Sequence, residues 1–299
     1  MVAGIILGFV TAFLQSGSYI GSAFFIRKHK SSLDLLLFSQ LFMGAVSLVM
    51  LPFFMPELSR AETVRMLIFL LSWVTTFSLG QLGFFYAQKY IEASRLSSLL
   101  GLKIIVLSIM WVLFYDRNLN ALQICGILIS SFAAMAMNWS GGNFALRGIA
   151  GITFTIICYS LTDFGEFELL NVLNKGGVIK SGITAVLLCY TALGVISLPI
   201  LLKRRWEWKK QLDSIPFAAL WLPSQFSLLI CFGLLDPVFG NVIQASRGII
   251  SVFLGMLVCR LGLNVMENKI SGKLWIRRIL AALLMIGGIA CFSFGKIIG

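Results

Sequence analysis

Four ionisable residues interrupt stretches of this sequence that are otherwise apolar: Lys103, Asp163, Glu166 and Arg247. A charge at the centre of a bilayer helix costs about 2.5–3.5 kcal/mol on insertion scales, so each must find a partner, water or a bound charge. Asp163 and Glu166 are one helical turn apart and share a face. Arginine offers a planar fork suited to a carboxylate or phosphate, and lysine a point charge. The acids can meet an ammonium group or carry a proton.

The surroundings of these residues define the protein class. Of 299 residues, 59% are hydrophobic and 12% are charged, and the mean hydropathy is +0.94. Soluble domains carry about 25% charged residues. The composition therefore excludes a soluble enzyme, a nucleic-acid-binding module and a disordered chain, and leaves a partner of the lipid bilayer. A hydrocarbon core of about 30 Å needs about 20 apolar residues per helix. Ten runs meet that need, roughly 2–26, 33–56, 66–90, 95–115, 119–139, 147–173, 181–202, 215–235, 238–262 and 275–297. They lack the period-2 alternation of a membrane barrel. The expectation is an all-α polytopic membrane protein with ten transmembrane helices. The first run has no charged segment before it and no small-residue cleavage site, and is read as a retained span.

The net charge of +12 is read as topology. Lys and Arg collect in cytoplasmic loops. Loops 1–2, 3–4, 5–6, 7–8 and 9–10 carry sixteen of them, and the opposite side six. This predicts that Arg27-Lys28-His29-Lys30, Lys203-Arg204-Arg205 and Arg277-Arg278 face the cytoplasm, with both termini outside. The six cysteines all lie in apolar spans without a CxxC, and are read as small buried hydrophobes. His29, the only histidine, sits in a basic loop, so no metal or His-based catalytic centre is expected.

Sliding the chain against itself by 144 residues aligns uncommon membrane residues: Gly4 with Gly148, Ser16 with Ser160, Ser18 with Thr162, Gly21 with Gly165, Gln81 with Gln225, Glu92 with Asp236 and Lys103 with Arg247. The expected units are residues 1–139 and 147–299, five spans each, joined by a linker at 140–146. An odd number of spans per repeat inserts the second unit from the opposite side, which is the inverted-repeat architecture of secondary transporters. No GxxxxGK[ST] loop occurs, so a gradient would drive transport, and no cofactor is expected.

Some segments resemble a known family. The stretch Phe85-Tyr86-Ala87-Gln88-Lys89-Tyr90-Ile91-Glu92-Ala93-Ser94, and the charged turn at Tyr115 leading to Leu122-Gln123-Ile124-Cys125-Gly126, are similar to EamA-type members of the drug/metabolite transporter superfamily. That family's frequent proline in the fourth span is absent, with Lys103 nearby, and Asp116-Arg117 replaces its usual glycine-glutamate turn. The resemblance implies a multi-pass protein of a bacterial cytoplasmic (inner) membrane that is not an enzyme. It implies a secondary transporter, and leaves amino acids, drugs, sugars, nucleotide derivatives and quaternary amines open as substrates. Phosphate-carrying relatives place basic residues in the corresponding spans.

Polar residues three and four apart form stripes that lipid would not tolerate, so these faces must look inward. The first span carries Thr11, Gln15, Tyr19 and Ser22, and the sixth Thr155, Tyr159, Asp163 and Glu166. The third carries Gln81, Phe85 and Gln88, the eighth Trp221, Gln225 and Leu228, and the ninth Gln244, Arg247 and Ser251. Hydrogen bonding between helices is the plainer reading, and a central water-filled pathway the functional one. The candidate substrate-binding set is Gln15, Tyr19, Gln81, Phe85, Lys103, Tyr159, Asp163, Gln225, Gln244 and Arg247. Candidates for coupling or gating are Asp163, Glu166, Glu92 and Asp236, the last two also suited to capping a helix. Arg247 could instead pair with Asp163 or Glu166, and Lys103 with a carbonyl or Glu92. Counted at 1.5 Å per residue, both cations lie near mid-depth, and Glu166 about 3 Å from the outer edge. Gly4-xxx-Gly8, Gly17-xxx-Gly21 and Gly287-Gly288 are read as sites of close helix approach.

The resulting expectation is a small-molecule transporter for a zwitterion or anion, such as an amino acid, working by alternating access with proton or counter-substrate coupling. Cationic drugs or quaternary amines are the alternative substrates. An integral-membrane enzyme acting on a lipid-linked substrate and a channel are the alternative classes.

Overall fold

The computed structural model describes residues 1–56, 59–91, 96, 99–115, 119–138, 146–204, 206–260 and 272–298. Local sequence explains where several helices start and stop. Helix α1 (Val2–His29) ends at Lys30, whose left-handed backbone (φ 56°) turns its N–H back to the Ile26 carbonyl. Ser31 then accepts from the Asp34 N–H and starts α2 (Ser32–Met50), which tightens into a 3-10 turn at Leu51–Phe53. Ser59 and Glu62 form a reciprocal capping box that opens α3 (Arg60–Ala87).

A 3-10 turn at Leu100–Leu102 leads into α4 (Lys103–Tyr115), followed by α5 (Ala121–Asn138). The later helices are α6 (Leu146–Leu173), α7 (Val178–Lys203) and α8 (Trp208–Leu235). After them come α9 (Pro237–Gln244), α10 (Arg247–Arg260) and α11 (Gly272–Ile298). Among the described residues six helical stretches are long and apolar enough to cross a membrane: α1, Ser32–Phe53, Glu62–Ala87, α6, α7 and α8. Shorter apolar helices cover Leu100–Tyr115, Ala121–Ala133 and Leu283–Lys296. Val49, Leu71, Leu113, Leu202 and Phe253 face outward, as side chains solvated by lipid do.

Two expected runs are not single α-helices. The fourth passes through the 3-10 turn before Lys103. The ninth is divided at Ala245-Ser246, where Ser246, Gly248 and Ile249 donate to carbonyls three residues back. Such i→i−3 tightening inside a span is a common place for a hinge or a functional residue. Lys103 and Arg247 are each the first residue of the α-helix that follows.

The most extensive helix contacts are α3 with α6, α1 with α8, α5 with α11 and α2 with α7, each joining the first half of the chain to the second. Residues 144 apart exchange partners across these seams. Thr11 Oγ1, which donates to the Leu7 carbonyl at 2.9 Å, lies 3.4 Å from the Ser224 carbonyl, and Thr155 Oγ1, which donates to the Gly151 carbonyl at 2.8 Å, lies 3.3 Å from the Gly80 carbonyl. Ser16 Oγ, which donates to the Ala12 carbonyl at 2.7 Å, also lies 3.1 Å from the Arg247 carbonyl, and Ser160 Oγ, which donates to the Ile156 carbonyl at 2.9 Å, lies 3.4 Å from the Lys103 carbonyl. A methyl group at Gly4 would meet Leu235 at 2.7 Å, and one at Gly148 would meet Ile91 at 2.9 Å.

The glycine expectations divide. A methyl at Gly21 would lie 3.1 Å from the Phe217 backbone, and one at Gly288 2.3 Å from the Ser130 hydroxyl, so both permit close approach. Gly287 faces open space. Cys158, Cys189 and Cys231 are buried as expected, whereas Cys125 is exposed on the outside of α5. The side chain of Cys259, the linker at 140–145, the 261–271 loop and Glu92 lie outside the described residues.

Candidate functional site

The Ser160–Lys103 contact sets α4 against α6, and one turn beyond Ser160 stands Asp163. Lys103 Nζ lies 2.9 Å from Asp163 Oδ2 and 3.2 Å from Oδ1. Both residues are 3% exposed. Asn241 Nδ2, on α9, donates to Asp163 Oδ2 at 2.6 Å. The carboxylate thus has a cation and an amide to replace the water it loses, the condition under which a buried ion pair is tolerated.

Arg247 has no such partner. Its Nη1 donates to Gln15 Oε1 at 2.8 Å, and Gln244 Nε2 donates to the same oxygen at 2.9 Å. Among the described residues Arg247 Nε has no hydrogen-bond partner and no carboxylate pairs with Arg247. The alternative in which Arg247 pairs with Asp163 or Glu166 is therefore corrected. Lys103 takes Asp163, because α4 lies on the acid-bearing α6 while α10 lies on α1, whose matching face offers Gln15 and Tyr19.

These groups surround a cavity of about 20 Å³, room for the centre of about one water. Helix α1 contributes Gln15 and Tyr19, α4 Lys103, and α6 Tyr159, Thr162, Asp163 and Glu166. Helix α8 contributes Trp221, Gln225 and Leu228, while Gln244 and Arg247 come from α9 and α10 and Phe77 from α3. Buried polar atoms without a partner concentrate here: the Tyr19 and Tyr159 hydroxyls, Glu166 Oε2, Gln244 Oε1 and Arg247 Nε. Buried polar atoms are normally paired, and these five border a space that admits about one water. Rings wall the space. Tyr19 lies 5.7 Å from Trp221 between ring centres, and Phe77 stacks on Tyr159 at 6.3 Å. Trp221 is oriented by a 2.6 Å bond to the Tyr190 hydroxyl.

Of the residues expected from sequence, Gln15, Tyr19, Lys103, Tyr159, Asp163, Glu166, Gln225, Gln244 and Arg247 meet at this cavity. Glu166 is 2% exposed and lines this cavity beside Asp163. Gln81 is buried away from the cavity with both amide atoms unpartnered. Phe85 packs edge-on against Phe217 at 5.6 Å. Their place is taken by Phe77, one turn earlier on α3, which the sequence reading passed over; its signal was the 144-residue match to Trp221, already on the eighth span's stripe. Asp236 caps α9 by accepting from the Phe239 N–H at 2.7 Å and pairs with Lys296 of α11 at 2.5 Å, away from the cavity.

A helical bundle of membrane-spanning stretches, with charged and amide side chains gathered round an internal cavity, defines the class as an integral multi-pass membrane protein. Residues 2–139 match the model of the EamA-like transporter family, so the resemblance read from the sequence holds over that part of the chain. Members of that family are transporters and not enzymes. A solved crystal structure, described only as that of a protein, superposes with a TM-score of 0.61 at 16% identity. The match covers 98% of this chain and 97% of that one, and shows a shared fold. No curated protein matches the sequence.

Proposed function

We propose that the protein is a secondary active transporter of a small metabolite bearing a carboxylate or phosphate, including zwitterions, and that it works by alternating access. The two halves, residues 1–139 and 147–299, act as inverted five-span repeats around the central cavity. What supports the repeat is the exchange of partners by residues 144 apart, at hydroxyl, glycine and cation positions alike. What supports the substrate class is Arg247, a buried guanidinium opposed by a neutral amide.

The cavity is contracted onto its own side chains. A substrate carboxylate or phosphate replaces Gln15 Oε1 on Arg247 and frees α1 from α10. An ammonium group of a zwitterion meets the unpartnered Glu166 Oε2. Ion pairs hold the two ends. Asp213 joins the start of α8 to the end of α1 through Lys28 and His29, each at 2.7 Å. Glu62 joins the start of α3 to Lys175 just beyond α6 at 2.7 Å. These seams, α1 with α8 and α6 with α3, are interchanged when the halves are exchanged. Opening one while the other stays shut is alternating access in this bundle. The gradient of a proton, taken up at Asp163 or Glu166, or of a counter-substrate supplies the drive. The Lys and Arg distribution supports a cytoplasmic Lys28 end, in an inner membrane.

The test is a thermal-shift screen of amino acids, carboxylates, phosphate esters and quaternary amines, followed by counterflow in proteoliposomes. Arg247→Ala is the cleanest variant, because Arg247 holds no carboxylate whose charge its loss would strand. A carboxylate or phosphate ligand that stabilises and moves through the wild type, and neither binds nor moves in Arg247→Ala, supports the proposal. Equal transport by both proteins overturns the binding role, and a response to quaternary amines alone overturns the substrate class.

A further inference from the structure

A second cavity, about 530 Å³ in volume, lies where α1 and α3 end. That is the size of pockets that hold small ligands. Arg27 and Lys30 line it from the end of α1, and Gln88, Lys89 and Tyr90 from the end of α3 and the turn that follows. No acid is among the described lining residues. Arg147, at the start of α6, acts on the Tyr90 hydroxyl from outside this wall. The positive-inside tendency accounts for basic residues at this end of the bundle, and here three of them line one concave volume.

Lys30 carries the second observation. It stands at φ 56°, where helix ends favour glycine or asparagine. Ending the helix does not require a lysine there, and this one lies on the cavity wall. Residues that carry a guanidinium, two ammonium groups, an amide and a phenol thus line one space, with Gln88 Nε2 on Ser22 and the Tyr90 hydroxyl on Tyr86. This is the set that anionic headgroups meet in basic pockets at the cytoplasmic ends of membrane helices. The floor is closed off from the central cavity. Gln88 Nε2 donates to Ser22 Oγ at 2.9 Å, and Tyr19, one turn deeper on α1, packs against Phe84 with ring centres 4.5 Å apart.

We propose that this cavity binds a phosphate-bearing anion at a site separate from the central one, either the headgroup of an anionic phospholipid or a free phosphorylated solute. The proposal does not depend on the substrate of the central cavity. Detergent-purified full-length protein is titrated with inorganic phosphate by calorimetry, and with dioctanoyl phosphatidylglycerol or dioctanoyl phosphatidylcholine by native mass spectrometry. The Lys30→Gln/Lys89→Gln variant should weaken anion binding by about tenfold or more. Lys203→Gln, at the same end but outside the cavity, should leave it unchanged. Lys30→Gly keeps the test valid if the double variant folds poorly. It relieves the left-handed backbone, so melting temperature should rise or hold while affinity falls. Selective binding of phosphatidylglycerol over phosphatidylcholine identifies the lipid headgroup as the source, and binding of inorganic phosphate alone identifies the free anion. Binding of neither anion, equal binding of both lipids without phosphate binding, or wild-type affinity in the lysine variants overturns the proposal.

Discussion

The Ser160 hydroxyl lies 3.4 Å from the main-chain carbonyl of Lys103, and the Ser16 hydroxyl 3.1 Å from that of Arg247, each while also bonded to the carbonyl four residues back in its own helix. The two serines and the two cations are each 144 residues apart. One contact brings each cation-bearing helix against the first helix of the opposite half. Each also sits where backbone hydrogen bonding tightens, so the cations emerge at equivalent irregularities.

Equivalent contacts should have equivalent energies. Ser16→Ala and Ser160→Ala are each expected to lower unfolding stability in detergent by about 1 kcal/mol, the net worth of one neutral hydrogen bond. Thermal unfolding of the purified variants measures this. A neutral result at one position beside a loss of about 3 kcal/mol at the other would show that the two seams are unrelated.

The buried pair gives an asymmetric mutational pattern. Lys103→Met alone leaves Asp163 charged and enclosed with only Asn241, and Asp163→Asn strands the ammonium. Either should cost about 3–5 kcal/mol, whereas the double variant recovers much of the loss. A melting series of the four proteins decides it, and a double variant no more stable than the worse single variant contradicts the ion-pair account.

Glycine positions separate close approach from mere flexibility. A methyl at Gly44 would stand 2.6 Å from the Gly194 Cα, forcing α2 away from α7. Gly44→Ala should cost about 1–3 kcal/mol by overpacking. Gly287→Ala meets nothing within 4 Å, and should be neutral or stabilise by up to about 1 kcal/mol, since alanine is the better helix former. Equal melting temperatures for the two variants would rule out the tight α2–α7 seam.

The end contacts should open independently. Asp213→Asn is expected to speed amide exchange at residues 24–30 and 208–214, and Glu62→Gln at 60–66 and 171–177, each without effect at the other end. Hydrogen–deuterium exchange read by mass spectrometry reports both regions in one experiment. Acceleration at both ends in either variant would argue against separate latches.

Much of the helix content and most of the polar lining were legible in the residues themselves. A bilayer offers no hydrogen bonds to exposed backbone or stray polar side chains, so a run such as 181–202 has to be helical. For the same reason a stripe such as Gln15 and Tyr19 has to turn inward. The start of α3 at Arg60 is set by the Ser59–Glu62 capping box, several residues before the apolar run at 66–90 begins. Hydropathy misjudged places where the backbone tightens without losing apolar character, so the 3-10 turn before Lys103 was invisible to it. It also placed the cavity at Gln81, one turn from Phe77, because periodicity gives a face of a helix and not a depth along it.

The sequence by itself determined that the chain belongs in lipid, and it aligns uncommon membrane residues at an offset of 144, Lys103 with Arg247 among them. Only the tertiary structure decided that these two cations are unequal. Lys103 reaches a carboxylate 60 residues away, and Arg247 an amide 232 residues away. The partner of a buried charge is set by the helix that packs across from it, and in a medium of low dielectric that partner determines whether the charge is satisfied or held ready for a ligand.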